Sequence, residues 1–461
     1  MAGCRNIALA TLLIISSDYL GAENLSINHL SGGSTTVFQE GPNSFGMPLA
    51  NIGRLNRRAH VVGNSFFNKN WVMAPSSTTA RDGLGPLFNA RSCSGCHVRD
   101  GRGSPPDEKQ LMTGLIFRLG IPGRDKSRRN LPDPTFGVQL AVRSIPGAEP
   151  EGNVRIENKF LRGTMNDGLK YELMHPFYTL IANENYGLPD TQILMSPRVA
   201  LPLVGMGLLE AVTEEEILSR SDPNDLDKDG ISGKPNQVWN PELNVKQLGR
   251  FGWKASQPNL RQQTAEAFLR DIGITSSIHK SESFTQTQSS RLSKLPNGGT
   301  PEIDDHILGR VVTYLQTLAP PAQRNYNEKE IKEGKILFQK SGCTSCHVPT
   351  MKTGDLSPVH ELRNQVIHPY TDLLLHDMGE LLADNLPDFE ASGSEWRTPP
   401  LWGIGLTKIV NGHTRFLHDG RARSLEEAIL WHGGEGLNAK KSYTSLPAAK
   451  RKILLSFLES L

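Results

Sequence analysis

Spare cysteine is what this chain lacks most. Its 461 residues include five cysteines, and four of them fall in two copies of one short pattern, Cys93-Ser94-Gly95-Cys96-His97 and Cys343-Thr344-Ser345-Cys346-His347. The fifth, Cys4, lies ahead of an apolar run at the N-terminus. No thiol is left for a disulfide framework or a cysteine nucleophile. Charge of one sign is also missing. With 50 Lys and Arg against 48 Asp and Glu the net charge is +2, which gives no electrostatic case for nucleic acid or an anionic membrane. Long apolar runs are absent as well. The run Ile7 to Ile15 is too short for the ~20 residues that span a bilayer, and no later stretch approaches that length. Arg5, this run and the small residues reaching Ala22 read as an export signal covering 1–22, which predicts a periplasmic mature chain without a membrane span.

What is present twice is C-x-x-C-H, with the copies 343 − 93 = 250 positions apart. Two thiols one turn apart reach the two vinyl groups on a porphyrin edge, and the histidine that follows points its imidazole at the iron. A thioredoxin-like pair does not require the histidine, and a zinc ribbon needs its cysteine pairs ~15–20 residues apart. The pattern therefore predicts two covalently bound haem c groups, on Cys93, Cys96 and His97 and on Cys343, Cys346 and His347. The residue opposite each histidine decides between a closed electron-transfer haem and a reactive one. For the second haem the chain offers His376, Met378, His413, His418 and His432. For the first, no histidine occurs between His97 and His175, which favours an open site or a ligand other than histidine.

Between and around the motifs the pattern is uneven. Short alternations such as residues 115–119 (LIFRL) and 138–142 (VQLAV) predict strands in a β-rich section at about 112–185. Helices are expected over 208–218, 258–271, 302–318, 327–338 and 424–431, the last with Ser424 as N-cap and Glu427 three residues on. Residues 280–300 read as a linker. No internal repeat is visible beyond the motif itself. The expected fold is mainly α, with two cytochrome c-like haem domains and a β-rich insertion in the first. The expected boundaries are 23–300, including the acidic loop 222–233, and 301–461. In that loop Asp225, Asp227 and Asp229 alternate before Gly230, but position 236, where an EF-hand needs glutamate, is Asn236. It is a calcium loop of another kind or a solvated acidic turn.

Residues 395–402 (EWRTPPLW) and 416–434 (FLHDGRARSLEEAILWHGG), with 83–93 (GLGPLFNARSC), 249–254 (GRFGWK) and 372–379 (DLLLHDMG), resemble the bacterial di-haem oxidoreductase family, often described as thiol oxidoreductases. That family is related to the di-haem cytochrome c peroxidases and to the methylamine-utilisation di-haem enzyme. The resemblance extends over most of the mature chain. In the peroxidases a methionine stands 14 positions after the histidine of the His-Asp-Gly turn as distal ligand. Here 418 + 14 = 432 is His432, which implies bis-histidine ligation by His347 and His432 and a lower potential than a His/Met pair. The resemblance also suggests Glu210 as a carboxylate that handles peroxide protons, or else a helix-end carboxylate. Trp253 is an electron relay between the haems, or else a core tryptophan. Arg397, Arg421 and Arg423 are candidates for haem carboxylates or for donor docking. The implied activity has electrons from a small periplasmic donor entering at the C-terminal haem and reaching a peroxidase-like N-terminal haem that takes hydrogen peroxide or another oxidant. The alternative is an electron-transfer cytochrome with no turnover of its own.

Overall fold

The computed structural model describes residues 29–106 and 114–461; the export signal expected over 1–22 lies outside them. The elements that build the sites are α1 (Arg54–Asn68), β1 (Leu115–Arg124), β2 (Gly152–Thr164), β3 (Lys170–Ala182), β4 (Leu194–Val199), α2 (Met206–Ala211), α3 (Leu260–Ala267), α4 (Asp305–Gln316), α5 (Lys329–Lys340), α6 (Leu425–Trp431) and α7 (Ala448–Ser460).

Helices begin where a side chain can accept a free N–H of the first turn. Asn259 accepts from Gln262 N at 2.8 Å, Asp304 from Ile307 N at 2.8 Å, and Ser424 from Glu427 N at 3.0 Å. The helix expected over 208–218 is split in two, because Thr213 accepts from Glu216 N and restarts the turn. The expected linker at 280–300 holds a short helix, Gln286–Leu292, closed by a reciprocal Thr285–Gln288 capping box.

Two helix crossings repeat one another, a symmetry that the amino-acid pattern hides. α1 buries Ala59, His60, Gly63 and Phe67 on one face and meets α4 at Gly63, where any Cβ would strike the Arg310 carbonyl and lie 2.7 Å from Tyr314 Cβ. α5 buries Ile331, Gly334 and Phe338 and meets α7 at Gly334, where a Cβ would strike the Ile453 carbonyl and lie 2.6 Å from Phe457 Cβ. Each crossing is locked by an aromatic pair one turn on. Phe67 lies 5.1 Å from Tyr314 at 50°, and Phe338 lies 5.4 Å from Phe457 at 54°. In both places glycine lets two backbones approach while the rings fill the flanks.

The fold as a whole corrects the mainly α expectation. The chain is 31% helical and 20% strand, with several small sheets. The largest strand contribution is the hairpin β2–β3, paired without interruption from Gly152↔Ala182 to Thr164↔Lys170. Half of its residues are exposed and few are buried, so its alternation is too weak to announce thirteen-residue strands. Its tip reaches the C-terminal segment: Met165 and Leu173 join the apolar cluster of Phe338, Trp431 and Phe457, and Asp167 pairs with Arg451 at 2.8 Å. β1 pairs with β4 from Leu115↔Val199 to Gly120↔Leu194. Residues 138–142 are not a strand. They run along the β1 edge, with Leu140 N donating to the Phe117 carbonyl and Leu119 N to that of Val138.

Packing also crosses the expected boundary at residue 300. The cluster around Phe67 and Tyr314 takes in Met351, Leu362, Leu374 and Trp402. A third cluster, with Phe117, Val199, Trp253 and Trp396, lies on the β1–β4 sheet.

Candidate redox cofactor sites

Each cysteine pair sits in a tight turn that returns the chain onto itself. His97 N donates to the Cys93 carbonyl at 3.0 Å and His347 N to the Cys343 carbonyl at 2.9 Å, which places each imidazole one turn beyond its first cysteine. Both imidazoles are anchored alike. His97 Nδ1 donates to Leu201 O at 2.7 Å and His347 Nδ1 to Tyr370 O at 2.9 Å, so Nε2 carries the free lone pair in each. Phe67 and Phe338, from the two crossings, stand 6.3 Å from His97 and His347 respectively. Burial pushes both histidines down to about 4, which keeps them neutral and able to ligate. It also pushes the Cys93 and Cys343 thiols up to about 12, with Asp271 adding to the effect at Cys93. Such thiols do not supply a reactive thiolate, so the name thiol oxidoreductase finds no chemical support here.

Each turn opens into a cavity. The second, about 430 Å³, is walled by Cys343, Cys346 and His347 together with His432, His418 and Trp396. His432 closes α6, and its Nδ1 donates to Ala428 O at 2.8 Å, leaving Nε2 free like that of His347. The two imidazoles are close enough for His432 to contribute to the depressed pKa of His347. His376 is spent elsewhere. It bridges Asp372 at 2.7 Å and Glu435 at 2.6 Å; burial favours the neutral ring, but these carboxylates and Cys346 hold it well above the usual histidine range. Met378 and His418 also line this cavity, whereas His413 Nε2 donates to the Arg102 carbonyl at 3.2 Å.

Two buried guanidinium groups line the same cavity without an ion-pair partner among the described residues. Arg397 donates to the Gly252 and Thr398 carbonyls. Arg102 donates to Leu417 O, and its Nε has no partner. A buried cation without an anion is costly, and a haem brings two carboxylates. The donor set, the two imidazoles with free Nε2 atoms and these unmatched cations fit a haem in this cavity. The other two arginines are committed already: Arg421 to Asp419 at 2.8 Å and Arg423 to Glu427 at 2.7 Å.

The first cavity, about 180 Å³, is walled by Cys93, Cys96 and His97, with Gln257, Gln263 and Asp271 among the polar residues. Among the described residues His97 is the one histidine lining it, and Met206 is the one methionine. The buried Gln257 leaves Oε1 without a partner. Asp271 accepts from Gln139 Nε2 at 2.8 Å, and burial pushes its carboxyl up, with Arg118 opposing. An imidazole with a free nitrogen beside a cysteine pair, in a cavity with an unsatisfied buried amide and no second histidine among its described lining residues, fits a haem.

Glu210 does not line this cavity. Its oxygens accept from Leu260 N at 2.7 Å and Gln316 Nε2 at 2.6 Å, so it ties α2 to the starts and ends of α3 and α4. Trp253 lines both cavities. Its Nε1 donates to Val199 O at 2.8 Å, and Val199 N in turn donates to the His418 carbonyl. Its ring stands edge-on to Trp396 and His418, each at 6.4 Å, and those two stack at 4.0 Å and 9°.

The acidic loop is built differently from its sequence pattern. Asp222, Asp225 and Asp227 converge, while Asp229 turns away to accept from Ile231 N and lines the second cavity. Asp222 was hidden because it precedes the alternating run. The three converging carboxylates already accept backbone N–H groups within the loop.

A family model described as "Di-haem oxidoreductase, putative peroxidase" matches residues 26–112 and 177–461. The interval left out, 113–176, holds β1 and most of the β2–β3 hairpin. No curated protein matches the chain.

Proposed function

Because the chain belongs to the di-haem oxidoreductase family, we propose that it reduces hydrogen peroxide at the His97 site with electrons that enter at the His347 site. The observation that carries this reading is the contrast between the two cavities: a second imidazole, His432, lines the cavity of His347, whereas the described lining of the His97 cavity holds no second histidine and a single methionine, Met206. The alternative, an electron-transfer protein without turnover, needs a strong ligand opposite His97.

Haems held by Cys93, Cys96 and His97 and by Cys343, Cys346 and His347 would supply the iron and the one-electron storage. The residues do the rest. Gln257 and Gln263 hold peroxide by hydrogen bonds in a wall that offers no second imidazole. Asp271 takes a proton from peroxide as it binds and returns it to the oxygen that leaves as water. In this reading Asp271 does what was expected of Glu210, which is bound elsewhere. Arg118 supplies positive charge to the same wall. The balance is one peroxide, two electrons and two protons to two waters. Trp253, shared by both walls, bridges the two sites that the electrons pass between, and the donor is a small redox protein of the export compartment.

The test is addition of peroxide to the reduced protein while the haem spectrum is followed. Reoxidation of both haems is expected, with Met206→Leu leaving it intact. A spectrum that does not change contradicts the reading, and so does a reduced protein in which neither haem binds carbon monoxide.

A further inference from the structure

Arg102 is the residue whose placement none of the roles above uses fully. It lies five positions after His97, in the irregular segment that follows the first motif, yet its side chain lines the second cavity, where His347 stands. It is 8% exposed. Nη2 donates to Leu417 O at 2.6 Å, Nε is unpartnered, and no carboxylate pairs with it among the described residues. The carboxylate that acts on its charge is Asp419, which is already held by Arg421 and by the Tyr178 hydroxyl. The guanidinium carbon sits 5.3 Å from the centre of the Trp253 ring and 5.8 Å from that of Phe416.

The geometry points to Arg102 as a positioning residue that links the two sites: it pairs with a haem carboxylate in the second cavity and, through the same charge, makes Trp253 harder to oxidise. This rests on the reading of two haems with Trp253 between them. The two effects have a common origin. A cation beside the second haem favours the reduced state, which carries one positive charge fewer. The same cation over an indole ring is attracted to the neutral ring and repelled by its radical cation. Electrons then cross between the haems while Trp253 remains a closed-shell ring, and the protein is guarded against leaving an oxidised tryptophan in its core.

Potentiometry on the haem-loaded protein separates the charge from the packing. Arg102→Gln and Arg102→Leu remove the charge; the leucine variant does so without placing a new polar side chain in the cavity wall. Arg102→Lys keeps the charge but loses the fork geometry. The charge role predicts a lower midpoint for the second haem in the Gln and Leu variants. The shift should alter electron sharing between the haems about tenfold, ~59 mV for one electron, and Arg102→Lys should stay near the native value. After peroxide treatment, the Gln and Leu variants should show a tryptophan radical signal that the native and Lys proteins lack. Equal midpoints in the native, Gln and Leu proteins overturn the proposal, as does an equal shift in all three variants. If Gln and Leu fail to take up the second haem while Lys takes it up, the charge is needed to seat that haem, which supports the pairing. Failure of all three indicates packing alone and overturns it. The midpoints do not depend on peroxide being the substrate, so a protein inert to peroxide but with this midpoint pattern sinks only the activity proposed above.

Discussion

At the scale of single residues, the two sites differ in what stands opposite an otherwise identical anchor. His97 and His347 share their turn, their carbonyl partner and their aromatic neighbour, so the chemistry diverges on the other side of the cavity. His432→Met is expected to keep the second haem six-coordinate and raise its midpoint by on the order of 100 mV, since thioether ligation favours the reduced iron. Spectroelectrochemistry checks this, and an unchanged midpoint would place the ligand elsewhere. His376 offers a pH test. Its folded pKa lies above the unfolded value, so the stability it contributes is complete below about 6.5 and is lost as pH rises through the folded value. The melting temperature of His376→Gln should therefore lie below that of the native protein at neutral pH, and the gap should close on the alkaline side. A gap that widens with pH would contradict the charged bridge to Asp372 and Glu435. The motif residues were legible in the sequence because covalent chemistry dictates their spacing, whereas His432 could be singled out from the other histidines only through the resemblance to the di-haem peroxidases. Arg102, Gln257 and Asp271 were not. Each serves a cavity made by segments far away along the chain, and a lone arginine or amide carries no pattern.

At the scale of elements, the capped helices could be read and the strands only in part. Ser424 and Glu427 open α6 as their types suggest, but the Glu427 carboxylate is turned to other work: it accepts from Met174 N in the hairpin at 2.7 Å and from Arg423 N at 2.8 Å. The hairpin thus bears on the helix that carries His432, and His175 stands edge-on to Trp431 at 5.6 Å. The mainly α expectation failed at this scale, because exposed strands and small sheets leave little periodicity to detect. The paired crossings escaped for the opposite reason: one glycine and one aromatic ring per helix suffice to build them. Gly334→Ala is expected to lower stability by about 1–3 kcal/mol, since the added methyl group meets backbone at the Ile453 carbonyl. Thermal unfolding followed at the second haem measures it, and a variant as stable as the native protein would contradict the close approach of α5 and α7.

At the scale of the whole molecule, the account is of two cavities of unequal character that share Trp253 as a common wall. Electron paramagnetic resonance of the fully oxidised, haem-loaded protein tests that asymmetry most directly. The account predicts two signals of equal weight, one low-spin from an iron held by two imidazoles and one high-spin from an iron held by His97 alone. Two low-spin signals, or a protein that takes up fewer than two haems, would contradict it.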